Sequence, residues 1–359
     1  MSKYKLCRGF KDLMPTDYKK YDFLKKELES VSNTYGYKMV NTCFIEESNL
    51  YKDCFGEDIT NHLFEIEGRF TNKVSLTYDN TISVLRSIVE NKLYVDKSLP
   101  LKFMYCKDTC CYDKKNPSGA NKYEFGFECV GDKSVYLDVE NVLVNMRILS
   151  YLGLGGYNLK IANFGEDSEY YDTFKQTLSI LSIDYEEDDS ITKRDYYSGI
   201  AFEVDIDDYR SVISGGRYDN LINIIGGVSV GAVGSRIDFD MLVKIIEENE
   251  GFPTFNEEVD FYIIPKSKNV FKYALYVSEM LREIGAFVEI HYKEYDLRRL
   301  DDLLDRIDVT YSIVIDEEDE INSTIKVRNA LIKNESTVLL KDFISDLEEL
   351  DEHHHGGEE

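Results

Sequence analysis

Nothing in this 359-residue chain approaches the roughly 18 to 20 consecutive apolar residues that a bilayer span requires, which excludes a helical membrane protein. The opening segment MSKYKLCRGFKD also lacks an apolar run of signal-peptide length, so a cytoplasmic location is expected. No CxxC pair and no nearby histidine completes a ligand set around CKDTCC, so no metal site is expected and half-buried strand cysteines are the simpler reading. The seven cysteines, Cys7, Cys43, Cys54, Cys106, Cys110, Cys111 and Cys129, form an odd set in a long chain and are expected to be reduced. LGLGG, at residues 152–156, lacks the GxGxxG spacing and follows a helical pattern, which reads as a helix stop rather than a phosphate loop. Basic charge is in deficit: 42 Lys and Arg against 68 Asp and Glu give a net charge of -26. That balance argues against a surface built for a phosphate backbone.

What is present is globular: 43% hydrophobic and 31% charged residues, enough length for a sizeable core, and a prior for two domains. Tyr21, Leu24, Leu28, Val31 and Tyr35 recur at helical spacing, with Pro15 just outside, Thr16 or Asp17 as the cap and Gly36 as the stop. Strands follow near 37–45, 63–66 and 74–76, then a helix from about Ile82 to Asn91. Two further strands, 101–106 and 123–130, flank the loop KKNPSGANK as a hairpin. Val139, Val142, Leu143, Met146 and Leu149 mark another helix. Later come strands at 200–204 and 211–213, a short helix after Asp219, the strand VSVGAVGSRI and a helix over 239–248. Antiparallel strands interspersed with helices predict an α+β body.

Gly, Pro and polar residues in ENEGFPTFN place a linker over 249–257, after a first domain of residues 1–248. Over 258–349, DFYIIP, AFVEI and YSIVID alternate with helical patterns, one of them LRRLDDLLDRI, and predict a small α/β domain with a largely parallel sheet. Residues 350–359, including His353, His354 and His355, are expected to form a disordered tail.

CRGFKDLMP, FGEDIT, DYYSGIAFE and SGGRYDNLI followed by GAVG, in that order and spacing, resemble the signatures of the class II histidyl-tRNA synthetase family. LTYDNTISVLRS and YEFGFECVGDKSVYLDVENV are closer still to a synthetase paralogue, the regulatory subunit of ATP phosphoribosyltransferase. The resemblance implies a class II synthetase-like antiparallel sheet with flanking helices, followed by an anticodon-binding-like α/β domain, and a homodimer. It also implies a histidine pocket. Asp79, Thr81 and Glu124 would hold the α-amino group and Glu128 and Tyr197 the imidazole, with Tyr196, Gly215, Gly216 and Arg217 alongside. An ammonium seeks such acceptors, and an imidazole offers one N–H to a carboxylate and one nitrogen to a hydroxyl. The residues also have structural readings: Asp79 and Thr81 as a helix cap, Glu128 as an exposed strand carboxylate, the tyrosines as sheet packing, and the two glycines as a strand-to-helix turn with Arg217 paired to Asp219 or another acid.

Activating an amino acid with ATP requires fixed cations around the transferring phosphate. Where the synthetase pattern places three arginines, this chain carries Cys111, Thr192 and Met241, although Arg194 and Arg236 stand nearby. Only about thirty residues separate NLKIANF from the Asp-Tyr-Tyr string, room for one helix and a strand, where the synthetase carries an inserted helical domain that embraces tRNA. Residues 256–350 hold 22 acidic against 12 basic residues, a poor surface for an anticodon stem. The expectation is a non-catalytic, histidine-binding regulatory subunit that needs no cofactor, docks on a short-form catalytic ATP phosphoribosyltransferase and does not bind tRNA. A divergent histidine–tRNA ligase and another synthetase-like amino-acid sensor are the alternatives.

Overall fold

The computed structural model describes residues 3–67, 72–95, 100–113, 119–191, 196–255, 259–293, 309–329 and 334–355. It divides into two units, Met1–Pro253 and Thr254–Glu359.

The first unit begins with helix α1 (Pro15–Asn33), whose buried Leu24, Leu28 and Val31 follow the expected stripe. Its N-cap is Met14 rather than Thr16 or Asp17, and Pro15 occupies the first turn, where a missing N–H costs nothing. Strand β1 (Lys38–Met39) leads to a small three-stranded sheet of β2 (Ile45–Glu47), β3 (Glu65–Ile66) and β4 (Val74–Leu76). Helix α2 (Ser48–Phe55) and a 3-10 turn over Glu57–His62 lie between β2 and β3, and α3 (Asn80–Glu90) follows β4.

Strands β5 (Leu101–Cys110) and β6 (Asn121–Val130) pair without a break from Leu101↔Val130 to Cys110↔Asn121. After α4 (Val135–Tyr151) come β7 (Tyr157–Asn163), α5 (Ser168–Ile180) and the two-residue β8 (Glu186–Glu187). Then follow β9 (Ile200–Ile206), β10 (Tyr209–Arg217), α6 (Leu221–Ile224), β11 (Ala232–Asp238) and α7 (Phe239–Glu248). The main sheet runs β1-β5-β6-β11-β10-β9-β7-β8, antiparallel except for the β1–β5 and β7–β8 edge pairs. Between β7 and β9 the described residues contain one helix and one short strand.

Successive side chains on a strand leave on opposite faces. On one face Phe125, Phe127 and Phe202 join Leu28 of α1, Ile148 of α4 and Phe239 of α7 in the larger core. On the other, Tyr105 joins Tyr51, Ile82, Leu85 and Leu221 in a smaller core under α2, α3 and α6. The site lies on this second face. Gly215 and Gly216 lie inside β10, hydrogen-bonded on both sides, and not in a strand-to-helix turn. A Cβ on Gly215 would meet the Phe202 ring at 2.6 Å, and one on Gly216 the Ile200 carbonyl oxygen at 2.8 Å, so close sheet packing explains both glycines.

In the second unit β12 (Val259–Pro265) lies between β13 (Val288–Ile290) and β14 (Val309–Ile315), all parallel, with α8 (Phe271–Glu283) packed on them. The sheet is mixed rather than largely parallel: β15 (Thr324–Asn329) and β16 (Glu335–Leu339) add two antiparallel strands that the sequence reading did not anticipate. Helix α9 (Glu317–Asn322) links β14 to β15. Helix α10 (Leu340–His355) continues into the segment expected to be a disordered tail, because nothing in DLEELDEHHH breaks a helix. The LRRLDDLLDRI helix falls outside the described residues. No helix among the described residues is long and apolar enough to cross a membrane.

Asp316 caps α9 and accepts from Lys266 at 3.0 Å and Lys326 at 2.5 Å. The Lys326 ammonium, with Lys266 behind it, holds its carboxyl below the usual carboxylate range. A depressed folded pKa adds stability that is complete above the unfolded value near 3.9 and is lost as pH falls through the folded value. Asp316→Asn keeps the cap but removes the charge, so it should cost about 1 to 2 kcal/mol at pH 7 and progressively less below about pH 4, measured by urea unfolding across that range.

Candidate functional site

Asp79 ends the extended segment after β4, and its Oδ1 accepts from the Ile82 N–H at 3.2 Å, making it the N-cap of α3. The cap reading therefore holds. It also fixes Asp79 at the wall of a cavity. A cap needs one carboxylate oxygen, so the second purpose is compatible with the first. Helix α3 is pinned in turn by Arg86, whose Nε and Nη2 reach the nearly buried Glu46 at 3.1 and 2.8 Å while Nη1 reaches Glu90 at 2.7 Å.

The cavity, about 530 Å³, opens beside Asp79 and is lined by Phe55, His62, Tyr78, Cys111, Lys122 and Arg236 together with Asp58, Asp113 and Glu124. Its floor is the sheet. Register places Glu124, Gly126 and Glu128 of β6 opposite Asp238, Arg236 and Gly234 of β11, so carboxylates, a guanidinium and glycines alternate along two neighbouring strands. Glu124 is nearly buried and takes a 2.8 Å ion pair from Arg236 Nη1. Arg236 Nε also points at Ser214 Oγ, 3.4 Å away. Gly126 is glycine because Tyr105 lies across it: a Cβ there would sit 2.2 Å from the ring. Burial, followed by the nearby Glu128, Glu124 and Asp79 carboxylates, pushes the Tyr105 phenol well above its ordinary value.

Glu128 is fully buried, not an exposed strand carboxylate, and accepts a short hydrogen bond from the Tyr218 hydroxyl. Beside them, Thr81, Tyr196, Tyr197, Tyr218 and Gly234 border a crevice of about 10 Å³, room for about one water. An imidazole would enter there only if these side chains rearranged. Tyr196 packs edge-on to Phe55, Tyr197 and Tyr218, and Tyr197 stacks on Phe164, so both tyrosines also serve packing.

Arg217 does not belong to this constellation. It leaves β10 on the opposite face, 4% exposed, where Nε and Nη2 fork onto Asp138 of α4 and Nη1 reaches Asp219 at 3.0 Å. The carbonyls of Asp132 and Ser134 and the face of Tyr170 complete its surroundings. Gly215 likewise faces the larger core, against Phe202, while Gly216 lies under Tyr197. Of the nine residues expected to bind histidine, the structure gathers Asp79, Thr81, Glu124, Glu128, Tyr196, Tyr197 and Gly216 on one face and turns Gly215 and Arg217 away. Arg236 is the central residue that the sequence reading left aside.

Among the positions expected to have lost arginines, Cys111 follows β5 on the cavity wall, and burial pushes its thiol up, so it offers no charge at neutral pH. Met241 lies in the first turn of α7, its N–H capped by Asp238, and borders a neighbouring cleft that also reaches Lys122. Thr192, Arg194 and the start of the Asp-Tyr-Tyr string lie outside the described residues.

A family model described as histidyl-tRNA synthetase matches residues 9–166, and one described as anticodon binding domain matches residues 260–350. The fold agrees over nearly the whole chain: the apo histidyl-tRNA synthetase of Staphylococcus aureus superposes with a TM-score of 0.82 and 25% identity, covering 95% of this chain and 99% of that one. The first unit thus carries a histidyl-tRNA synthetase-like domain and the second an anticodon-binding-like domain. The histidine–tRNA ligase of Bacillus subtilis is 22% identical, covering 95% of this chain and 97% of its own length. That alignment runs over 413 positions, more than the 359 residues of this chain, so the ligase contains segments with no counterpart here. A Bacillus halodurans structure titled as an ATP phosphoribosyltransferase regulatory subunit/histidyl-tRNA synthetase shares the fold, with a TM-score of 0.65 and 17% identity over 88% of this chain and 99% of that one.

The buried Arg217–Asp138 pair generates a test of its structural role. Arg217→Ala leaves Asp138 an uncompensated buried charge and should destabilise the first unit by roughly 3 to 5 kcal/mol, whereas Arg217→Lys recovers only part of it. The shift in urea midpoint for the two variants checks this.

Proposed function

We propose that this protein is a non-catalytic histidine-binding subunit that regulates ATP phosphoribosyltransferase. The observation that carries the reading is the charge of the cavity. Asp58, Asp79, Asp113 and Glu124 line it, against Arg236, Lys122 and His62, and Glu124 already engages Arg236. A triphosphate brings several negative charges and calls for forked cations around them. An amino acid brings an ammonium, which Asp79 and Glu124 would accept. The neutral Cys111 thiol and the Met241 side chain supply no guanidinium in compensation. Losing one charge-stabilising group typically costs on the order of 2.7 to 4 kcal/mol of barrier.

Three further features support the same reading. Among the described residues, the stretch between β7 and β9 holds one helix and a short strand where a tRNA-embracing insertion would sit, and the relative's alignment is longer than this chain. The acidic excess over residues 256–350 disfavours an anticodon stem. The Bacillus halodurans protein carries both names on one fold. In this reading the subunit works in the cytoplasm as a homodimer, docks on the catalytic phosphoribosyltransferase, and binds histidine with different affinity in two states of the complex.

A second reading, an active divergent ligase, is favoured by one observation: Arg236 projects into the cavity and gives it a guanidinium after all. Two measurements separate the readings. Titration calorimetry of the full chain with L-histidine should show binding that Asp79→Asn and Glu124→Gln each weaken about tenfold or more, the loss of a charge-assisted hydrogen bond. Histidine-dependent ATP–pyrophosphate exchange should stay at the buffer level. Exchange above that level makes the protein an enzyme, and no heat with histidine ends the sensor reading.

A further inference from the structure

Holding the ammonium and the ring of an amino acid leaves its carboxylate to be met. The groups that take the first two are carboxylates and hydroxyls, which repel or ignore a third negative charge. Among the described residues bordering both the 530 Å³ cavity and the crevice beneath Tyr196 and Tyr197, Arg236 is the one cation. It springs from the middle of β11, opposite Gly126, and is held by Glu124 on one side and Ser214 on the other. Its side chain is about one-third exposed, so an incoming group can reach it. Lys122 also lines the cavity, and with Arg210, Asp238 and Arg236 it borders a neighbouring cleft of about 200 Å³.

From this geometry we infer that Arg236 reads the α-carboxylate of the bound amino acid and makes the site selective for a free zwitterion over analogues lacking that charge. The inference rests on the histidine-binding reading above and goes beyond it by naming the residue and the selectivity. The Glu124–Arg236 ion pair is the reason the arrangement is economical. A zwitterion laid along it puts its ammonium beside Glu124 and its carboxylate beside Arg236, so the four charges alternate and the site gains no net charge. An amino alcohol with the same ring brings only the ammonium, leaving Arg236 with its existing partners and forming no bond to it. A planar fork suits a carboxylate bidentately, which a lysine at the same position would not reproduce.

The test compares L-histidine with L-histidinol, in which the carboxylate is replaced by a hydroxymethyl group, by calorimetry on the full-length protein and on Arg236→Gln and Arg236→Lys. The wild type should prefer histidine by about 10- to 100-fold, the worth of hydrogen bonds to a charged group. Arg236→Gln should abolish that preference by weakening histidine while leaving histidinol within about threefold of the wild type, and Arg236→Lys should fall between. Arg236→Gln removes the cation that partners the nearly buried Glu124, so melting curves are recorded for both variants, and Arg236→Lys, which keeps that charge, separates lost recognition from lost folding. Equal weakening of both ligands by Arg236→Gln, or a wild type that binds histidinol as tightly as histidine, overturns the assignment while leaving histidine binding intact. Absence of binding by either ligand overturns it together with the reading beneath it.

Discussion

Two strands at the centre of the sheet, β6 and β11, have to satisfy two environments at once. The alternation of side chains lets them do so. Phe125 and Phe127 enter the larger core on one face while Glu124 and Glu128 are buried on the other, where each must find a partner or remain protonated. Arg236 answers Glu124 and Tyr218 answers Glu128, and both partners come from elements paired with or following the same sheet. Everything else in the site follows from keeping those carboxylates dry and partnered. Gly126 makes room for Tyr105, Gly234 for Glu128 and Tyr218, and α3 with its Asp79 cap closes the cavity edge.

The same alternation separates two arginines that the sequence presents alike. Arg217 and Arg236 both lie in or beside glycine-rich strings, and only strand parity tells them apart. Arg217 falls in register on the helix-facing side of β10, where a bidentate bond to Asp138 and a contact to Asp219 consume it. Arg236 sits two residues from Gly234 on the cavity side of β11, with room around it. A buried ion pair such as Arg217–Asp138 contributes little net stability relative to apolar packing, but it fixes how α4 seats on β10, because the fork accepts one geometry.

Most elements of the fold were legible because their signals are local. Leu24, Leu28 and Val31 mark one face of α1, the glycine past α4 marks its end, and Phe239 to Glu248 form the expected helix. What was not legible depended on pairing at a distance. β10 extends through Gly215 and Gly216 because β9 and β11 bond it on both sides, and a glycine pair before a helix gives no local hint of that. β15 does alternate, Ile325 and Val327 inward against Lys326 and Arg328, but it is only six residues long, and β16 is short and mostly exposed, so its pairing with β15 has no strong local signal. The site divides in the same way. The acceptors Asp79, Glu124 and Glu128 could be named from ordered motifs, whereas the depth of Glu128 and the inward turn of Arg236 required the register. Reading VGSRID for its parity would have offered one clue, since Val233, Ser235 and Ile237 share a face and Gly234 and Arg236 share the other.

Arg236 also changes what the missing arginines mean. Where the resemblance implies lost arginines, at Cys111 and Met241, the sequence reads as a site emptied of cations, yet Arg236 puts a guanidinium in the cavity. A rim cation can follow a phosphate as charge develops during transfer, which is what catalysis needs. A floor cation locked to Glu124 is fixed before any ligand arrives and stabilises a bound carboxylate in its ground state. Ground-state stabilisation raises affinity without lowering a barrier, so in the proposed reading a cation held in this way favours holding an amino acid over activating it.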